Sequence, residues 1–191
     1  MNVLFFGKAA NLTTWEQRDF WPGSDTGPDA SCNEDTYEKS IGSEASGAPQ
    51  EDGLFRNAAT KIMAYRIFPQ SLVSGVLRHE PVAVGDTVGI DYRIVPGLHL
   101  FFGARVEEVF DREYDGIWRA GFRYRTLVGH PEFGVETFCV EKKLDSGEVT
   151  VALRSWSRPG TRLAKLGAPL VRLAQIHASK AALRELSRSP H

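Results

Sequence analysis

An α+β helix-grip fold, in which a curved antiparallel sheet of about six or seven strands wraps a long C-terminal helix, is what this sequence predicts. Three observations carry that reading. A helical stripe is followed by a series of strand-like runs, and the runs are joined by connections short enough to favour antiparallel pairing. The chain then closes with a long amphipathic segment. A sheet with one apolar face and a helix with one apolar stripe must bury those surfaces against each other.

The first helix is read at Leu54–Phe68, where Leu54, Ala58, Ile62, Tyr65 and Phe68 share a face and Pro69 ends the run. Strands follow at Leu72–Pro81 and at Thr87–Ile94, where Val88, Ile90, Tyr92 and Ile94 alternate with Gly89, Asp91 and Arg93. Leu100–Phe110 is longer, and the spacing of Val106 and Val109 breaks strict alternation, so a bulge is expected there. Ile117–Leu127, Val135–Leu144 and Glu148–Ser157 complete the series. Gly167 then marks a break, Pro169 suits a first helical turn, and Leu170, Leu173, Ala174, His177 and Ala181 continue one face through Leu186. A hot-dog thioesterase arrangement is the rival fold, and the long C-terminal helix argues against it.

Residues 1–36 read as an N-terminal extension and residues 37–191 as a single helix-grip domain. The stretch from Trp21 to Gly53 is rich in Gly, Pro, Ser and acids, which suits a loop or lid with a short strand at Tyr37–Ile41.

With 23 Lys and Arg against 24 Asp and Glu, the formal net charge is -1, which gives no general field for nucleic acid or an anionic membrane. The N-terminal apolar run, Val3 to Phe6, is too short for a signal peptide or a membrane span, so a cytoplasmic protein is expected. Cys32 and Cys139 make no disulfide framework. The five histidines show no pair at metal-ligand spacing, and there is no Walker loop or Gly-x-Gly-x-x-Gly turn, so neither metal nor nucleotide cofactor is expected.

Most of the unusual chemistry lies between Tyr124 and Pro159. A two-residue turn on Ser146 and Gly147 would pair Leu144 with Val149, Val140 with Leu153, Phe138 with Ser155 and Glu136 with Ser157. Phe122, Phe138, Val140, Val151 and Leu153 then form an apolar floor, and Tyr124, Thr126, Glu136, Ser155 and Ser157 form a polar end. An apolar cavity with a few converging polar groups is the usual design of a small-molecule site. Glu136 is the sharpest of these residues, because a carboxylate near the interior must be paired, hydrogen-bonded or protonated. His130, between Gly129 and Pro131, suits a fixed turn, and Arg158 either caps the nearby carboxylate or meets an anion. His177 lies on the stripe of the last helix that would line the cavity.

The segment TLVGHPEFGVETF followed by SWSRPG, with Arg162, Leu163, Pro169 and Gln175 downstream, resembles the domain of unknown function 1990 family. Thr126, Leu127, Gly129, His130, Gly134, Glu136 and Phe138 fit that family's loop, and the likeness runs from about Tyr37 to Leu186. Arg125 stands where the family usually has glycine, and Val135 and Thr137 replace a Glu position and a commonly Arg position. The family is similar to the START-related helix-grip superfamily, which implies binding of a hydrophobic ligand.

Three functions compete. A small apolar or amphipathic ligand is held between sheet and last helix, with Tyr124, Thr126, Glu136, Phe138, Ser155, Ser157, Arg158 and His177 in contact with it. Alternatively Glu136 and His130 act as acid and base in a cyclase, hydratase or hydrolase. In a third reading, Trp15, Phe20 and Trp21 contact a partner or a second copy of the chain.

Overall fold

The computed structural model describes residues 4–6, 11–23, 27–160 and 168–187. The apolar alternation read along the middle of the chain becomes β4 (Thr87–Val95), β5 (Leu98–Tyr114), β6 (Ile117–Thr126), β7 (Glu132–Lys143) and β8 (Glu148–Pro159). Ahead of them come β1 (Leu4–Phe6), α1 (Thr13–Glu16), β2 (Asn33–Ser43), α2 (Leu54–Met63) and β3 (Val73–Val76), and α3 (Ala168–Leu186) follows. The sheet is antiparallel in the order β2-β8-β7-β6-β5-β4-β3. Short β1 pairs with Leu98–Leu100 of β5, on the flank that β6 leaves free. The expected bulge in β5 lies between Val106 and Glu108.

One face of the sheet carries the main core. Phe55, Ala58, Ala59 and Ile62 of α2 pack with Phe122, Phe138, Val140, Val151 and Leu153, and each of those five strand residues is at most 2% exposed. Burial of this kind contributes roughly 1.5–3 kcal/mol per large apolar side chain. On the opposite face Trp15 of α1 packs with Phe101 and Leu127 in a smaller cluster, seated over Gly103, where a Cβ would come within 3.0 Å of the indole. Phe20 is partly buried against the same cluster.

Three local expectations need correction. The first helix ends at Met63, five residues early, because Tyr65 adopts a left-handed backbone with φ of 52°. The N–H of Arg66 donates to the Lys61 carbonyl and that of Tyr65 to the Ile62 carbonyl, which is a Schellman closure. The strand read at Tyr37–Ile41 is longer and begins at Asn33, so the break expected after residue 36 falls inside it. On α3, Ser179, Ala181, Ala182 and Leu186 are buried, whereas Leu173 is 63% exposed and His177 faces solvent. Gly167, Arg162 and Leu163 lie outside the described residues, as do the side chains of Leu170, Ala174 and Gln175.

The β7–β8 hairpin is the fourth correction and the one that matters for the site. Lys142, not Leu144, pairs with Val149, and four residues, Leu144–Gly147, make the connection. The cause is a buried ion pair. The Lys142 side chain is 0% exposed, and its ammonium donates to Glu44 Oε2 at 2.8 Å and to the Ala48 carbonyl at 3.0 Å. Glu44 Oε1 also accepts from the N–H of Phe55 in the first turn of α2. Burial pushes the Glu44 carboxyl up, but the Lys142 bond and the backbone N–H groups outweigh it and hold it below its ordinary value. The slip relative to expectation is two residues, so each side chain keeps its face.

Removing one partner of this pair strands the other in the interior. Lys142→Met is expected to lower unfolding stability by about 3 kcal/mol in urea titration. A loss below about 1 kcal/mol would show that water satisfies Glu44 instead.

Candidate functional site at the polar end of the sheet

The register sets the inner-face side chains in rows across the strands. Ala120, Val140 and Val151 form one row, and Phe122, Phe138, Leu153 and Tyr37 form the next. Tyr124, Glu136, Ser155 and Asp35 follow. Last come Gly134, Ser157 and Asn33, with Thr126 hydrogen-bonded to Gly134. The face therefore runs from aliphatic through aromatic to polar. Glu136 stands opposite Ser155, where Ser157 was expected, and Ser157 stands opposite Gly134.

Gly134 is a steric requirement. A Cβ there would lie 2.1 Å from the Trp156 carbonyl oxygen and 2.8 Å from Cβ of Ser157. Beside it a narrow, water-sized recess of about 20 Å³ is lined by Tyr124, Thr126, His130, Glu132, Val135, Glu136, Ser155 and Ser157 along with Gly134 itself. The sequence-derived polar set thus converges on one place. The apolar floor below does not stay open, since Tyr65 and Phe68 close over Phe138 at ring separations of 6.0 Å.

Glu136 accepts a 2.7 Å hydrogen bond from the Tyr124 hydroxyl. Burial raises its pKa from 4.5 to about 7; the Tyr124 bond opposes the rise and the charge of Asp35 adds to it. Burial and the neighbouring carboxylate also push the Tyr124 phenol well above its usual range. Tyr65 lies against the same pair: burial, then the Glu136 charge, raise its pKa, and its hydrogen bond with Tyr124 opposes the rise.

His130 is buried, and its Nδ1 is held by Glu132, whose N–H donates at 3.0 Å and whose carbonyl oxygen lies 2.9 Å away. Its ring packs edge-on to Phe102 at 4.4 Å. Burial lowers its pKa to about 3, so the imidazole is neutral and weakly basic at ordinary pH. Arg158 falls on the other face, its guanidinium 4.4 Å over the Phe133 ring and 3.7 Å from Asp29, so it does not cap Glu136. His177 is exposed on α3. Among the described residues no three His, Cys, Asp or Glu side chains group as a metal site, and no helix is long and apolar enough to cross a membrane.

Tyr65 and Asp35 are members of this constellation that the sequence reading missed. Tyr65 was visible only as one more large residue on an apolar helix stripe, although its polar tip was a signal. Asp35 was hidden in an acidic stretch, and the alternation of Asn33, Asp35 and Tyr37 could have placed it inward.

The family description that matches, Domain of unknown function (DUF1990), covers residues 24–185. The chain belongs to this family. A UPF0548 protein of Dictyostelium discoideum is 32% identical over 128 residues, which cover 63% of this chain and 59% of that relative. A hypothetical protein of Helicobacter pylori superposes with a TM-score of 0.52 at 16% identity, covering 81% of this chain and 86% of its own. Major latex-like protein 151 of Panax ginseng gives 0.51 at 13% identity, covering 83% and 97%. These likenesses show the fold, which is helix-grip. Within the DUF1990 pattern, the departures at Val135 and Thr137 lie on the sheet face opposite Glu136, because neighbours on a strand alternate.

A carboxyl whose folded pKa exceeds its unfolded value keeps a proton that the unfolded chain has released, so stability falls as pH rises between 4.5 and about 7. Glu136→Gln removes that loss. The variant is expected to gain about 1–2 kcal/mol on the parent across this window, a figure reduced for the partial exposure of the side chain. A difference independent of pH, read from denaturant midpoints, would show Glu136 to be fully hydrated.

Proposed function

We propose that this protein binds a small amphipathic molecule whose polar end meets Tyr124, Thr126, Glu136, Ser155 and Ser157. The observation that carries the reading is the gradient along one sheet face, aliphatic to aromatic to polar, ending at a recess. Helix-grip folds offer such a concave surface, and the family's likeness to START-related proteins points the same way. Phe138 forms the apolar side of the contact, while the closed aromatic floor favours a ligand smaller and more polar than the sequence alone suggests. Had side chains filled the polar end as well, this reading would have no support.

A second reading has one observation in its favour. A carboxyl with a pKa near 7 is matched to proton transfer at neutral pH, so Glu136 suits a general acid or base. In that case neutral His130 would orient the substrate through hydrogen bonding. Loss of turnover with retained binding in Glu136→Gln would favour catalysis over binding alone.

Native mass spectrometry of protein purified from its own host is expected to show a retained small molecule. Ser155→Leu, which fills the recess, is expected to lose it while remaining folded by circular dichroism. An identical ligand load in this variant would place the binding elsewhere.

A further inference from the structure

The segment of residues 11–23 lies ahead of the residues that the family description covers, and it touches the turn that carries His130. We infer that this segment is a strap which fixes the β6–β7 turn and so holds His130 in place, with Arg18 as its positioning residue. The strap acts on the turn whether or not the recess takes up a ligand.

The turn runs from Leu127 to His130, whose N–H donates to the Leu127 carbonyl at 2.9 Å, with Gly129 at a φ of 97°. Both backbone groups of Val128, its second residue, are taken by the strap. The Val128 N–H donates to the Asp19 carbonyl at 2.9 Å, and its carbonyl accepts from Arg18 Nη1 at 3.2 Å. Phe20 adds an antiparallel bridge to Leu127. The strap therefore satisfies the turn as a neighbouring strand satisfies a sheet edge.

The rest of the molecule is shaped to receive it. Gly89 and Gly103 stand opposite each other on β4 and β5. A Cβ on the first would lie 3.0 Å from the Leu12 side chain, and one on the second 3.0 Å from the Trp15 indole. Arg105 Nη2 donates to the carbonyls of Glu16 and Arg18 at 2.9 and 3.0 Å, which closes the end of α1. Phe20 lies under the guanidinium groups of Arg105 and Arg125. Arg18 stacks on the Trp15 ring at 3.7 Å, which aims its guanidinium at the turn. Near the start of the strap, Arg78 grips both carboxylate oxygens of Glu16 and the hydroxyl of Thr13. Anchors that share one short segment are coupled, so loosening the Arg78 end is felt at Val128.

Amide hydrogen exchange of the full chain, followed residue by residue by NMR, tests the strap. Arg18→Met removes the donor to Val128, and Arg78→Met frees the other end without removing any hydrogen bond of the turn. Both are expected to speed exchange at Val128 and His130 about tenfold while Val140 in the core is unchanged. The imidazole nitrogen resonances of His130, which report how Glu132 holds its ring, are expected to move in both variants. Faster exchange at Val128 with His130 unmoved would show a flap that positions nothing. Unchanged exchange in Arg78→Met would show that the segment is not one unit, and an equal rise at Val140 would show general loosening. Any of these three results overturns the inference.

Discussion

The register of β7 between β6 and β8 is the constraint on which the rest depends. It is held at one end by the buried Lys142–Glu44 pair, which ties the hairpin to the loop after β2 and to the first turn of α2. At the other end it is held by Gly134, where only a residue without a Cβ lets β8 come close. Between these points every inner-face side chain has its partners fixed, and a slip of one residue would turn Glu136 outward and Val135 inward.

That constraint explains why one carboxyl behaves unlike the others. Glu38, Glu141 and Glu107 lie on the outer face among arginines and form cross-strand ion pairs. Glu136 lies on the inner face at the border between aromatic core and recess, where burial and Asp35 oppose ionisation and Tyr124 alone among the hydrogen bonds favours it. His130, across the same recess, is pushed in the complementary direction, towards its uncharged form. Two titratable groups are thereby poised close to neutrality in a site rimmed by hydroxyls.

Much of this was legible in the sequence. Alternation gave the strands, the bulge in β5 and the polar and apolar halves of the inner face, because those follow from a period of two. What the sequence hid were choices made by distant partners. Nothing local announces that Lys142 will be buried, since lysine is rarely interior unless paired, and its partner Glu44 is 98 residues away. The early end of α2 was equally hidden, because a tyrosine at a left-handed position contradicts local preference and is tolerated only through its buried ring. His177 and Arg158 were misplaced for simpler reasons: α3 presents Ser179 and Ala182 inward, and Arg158 follows inward Ser157 by one residue.

Register and burial together hold Glu136 half-ionised at the edge of the recess. Its carboxyl carbon, followed by NMR through a pH titration, reports this most directly. The account predicts a midpoint near 7 in the parent and a higher one in Tyr124→Phe, where the bond favouring the ionised form is gone. A midpoint near 4.5, unmoved by Tyr124→Phe, would contradict it.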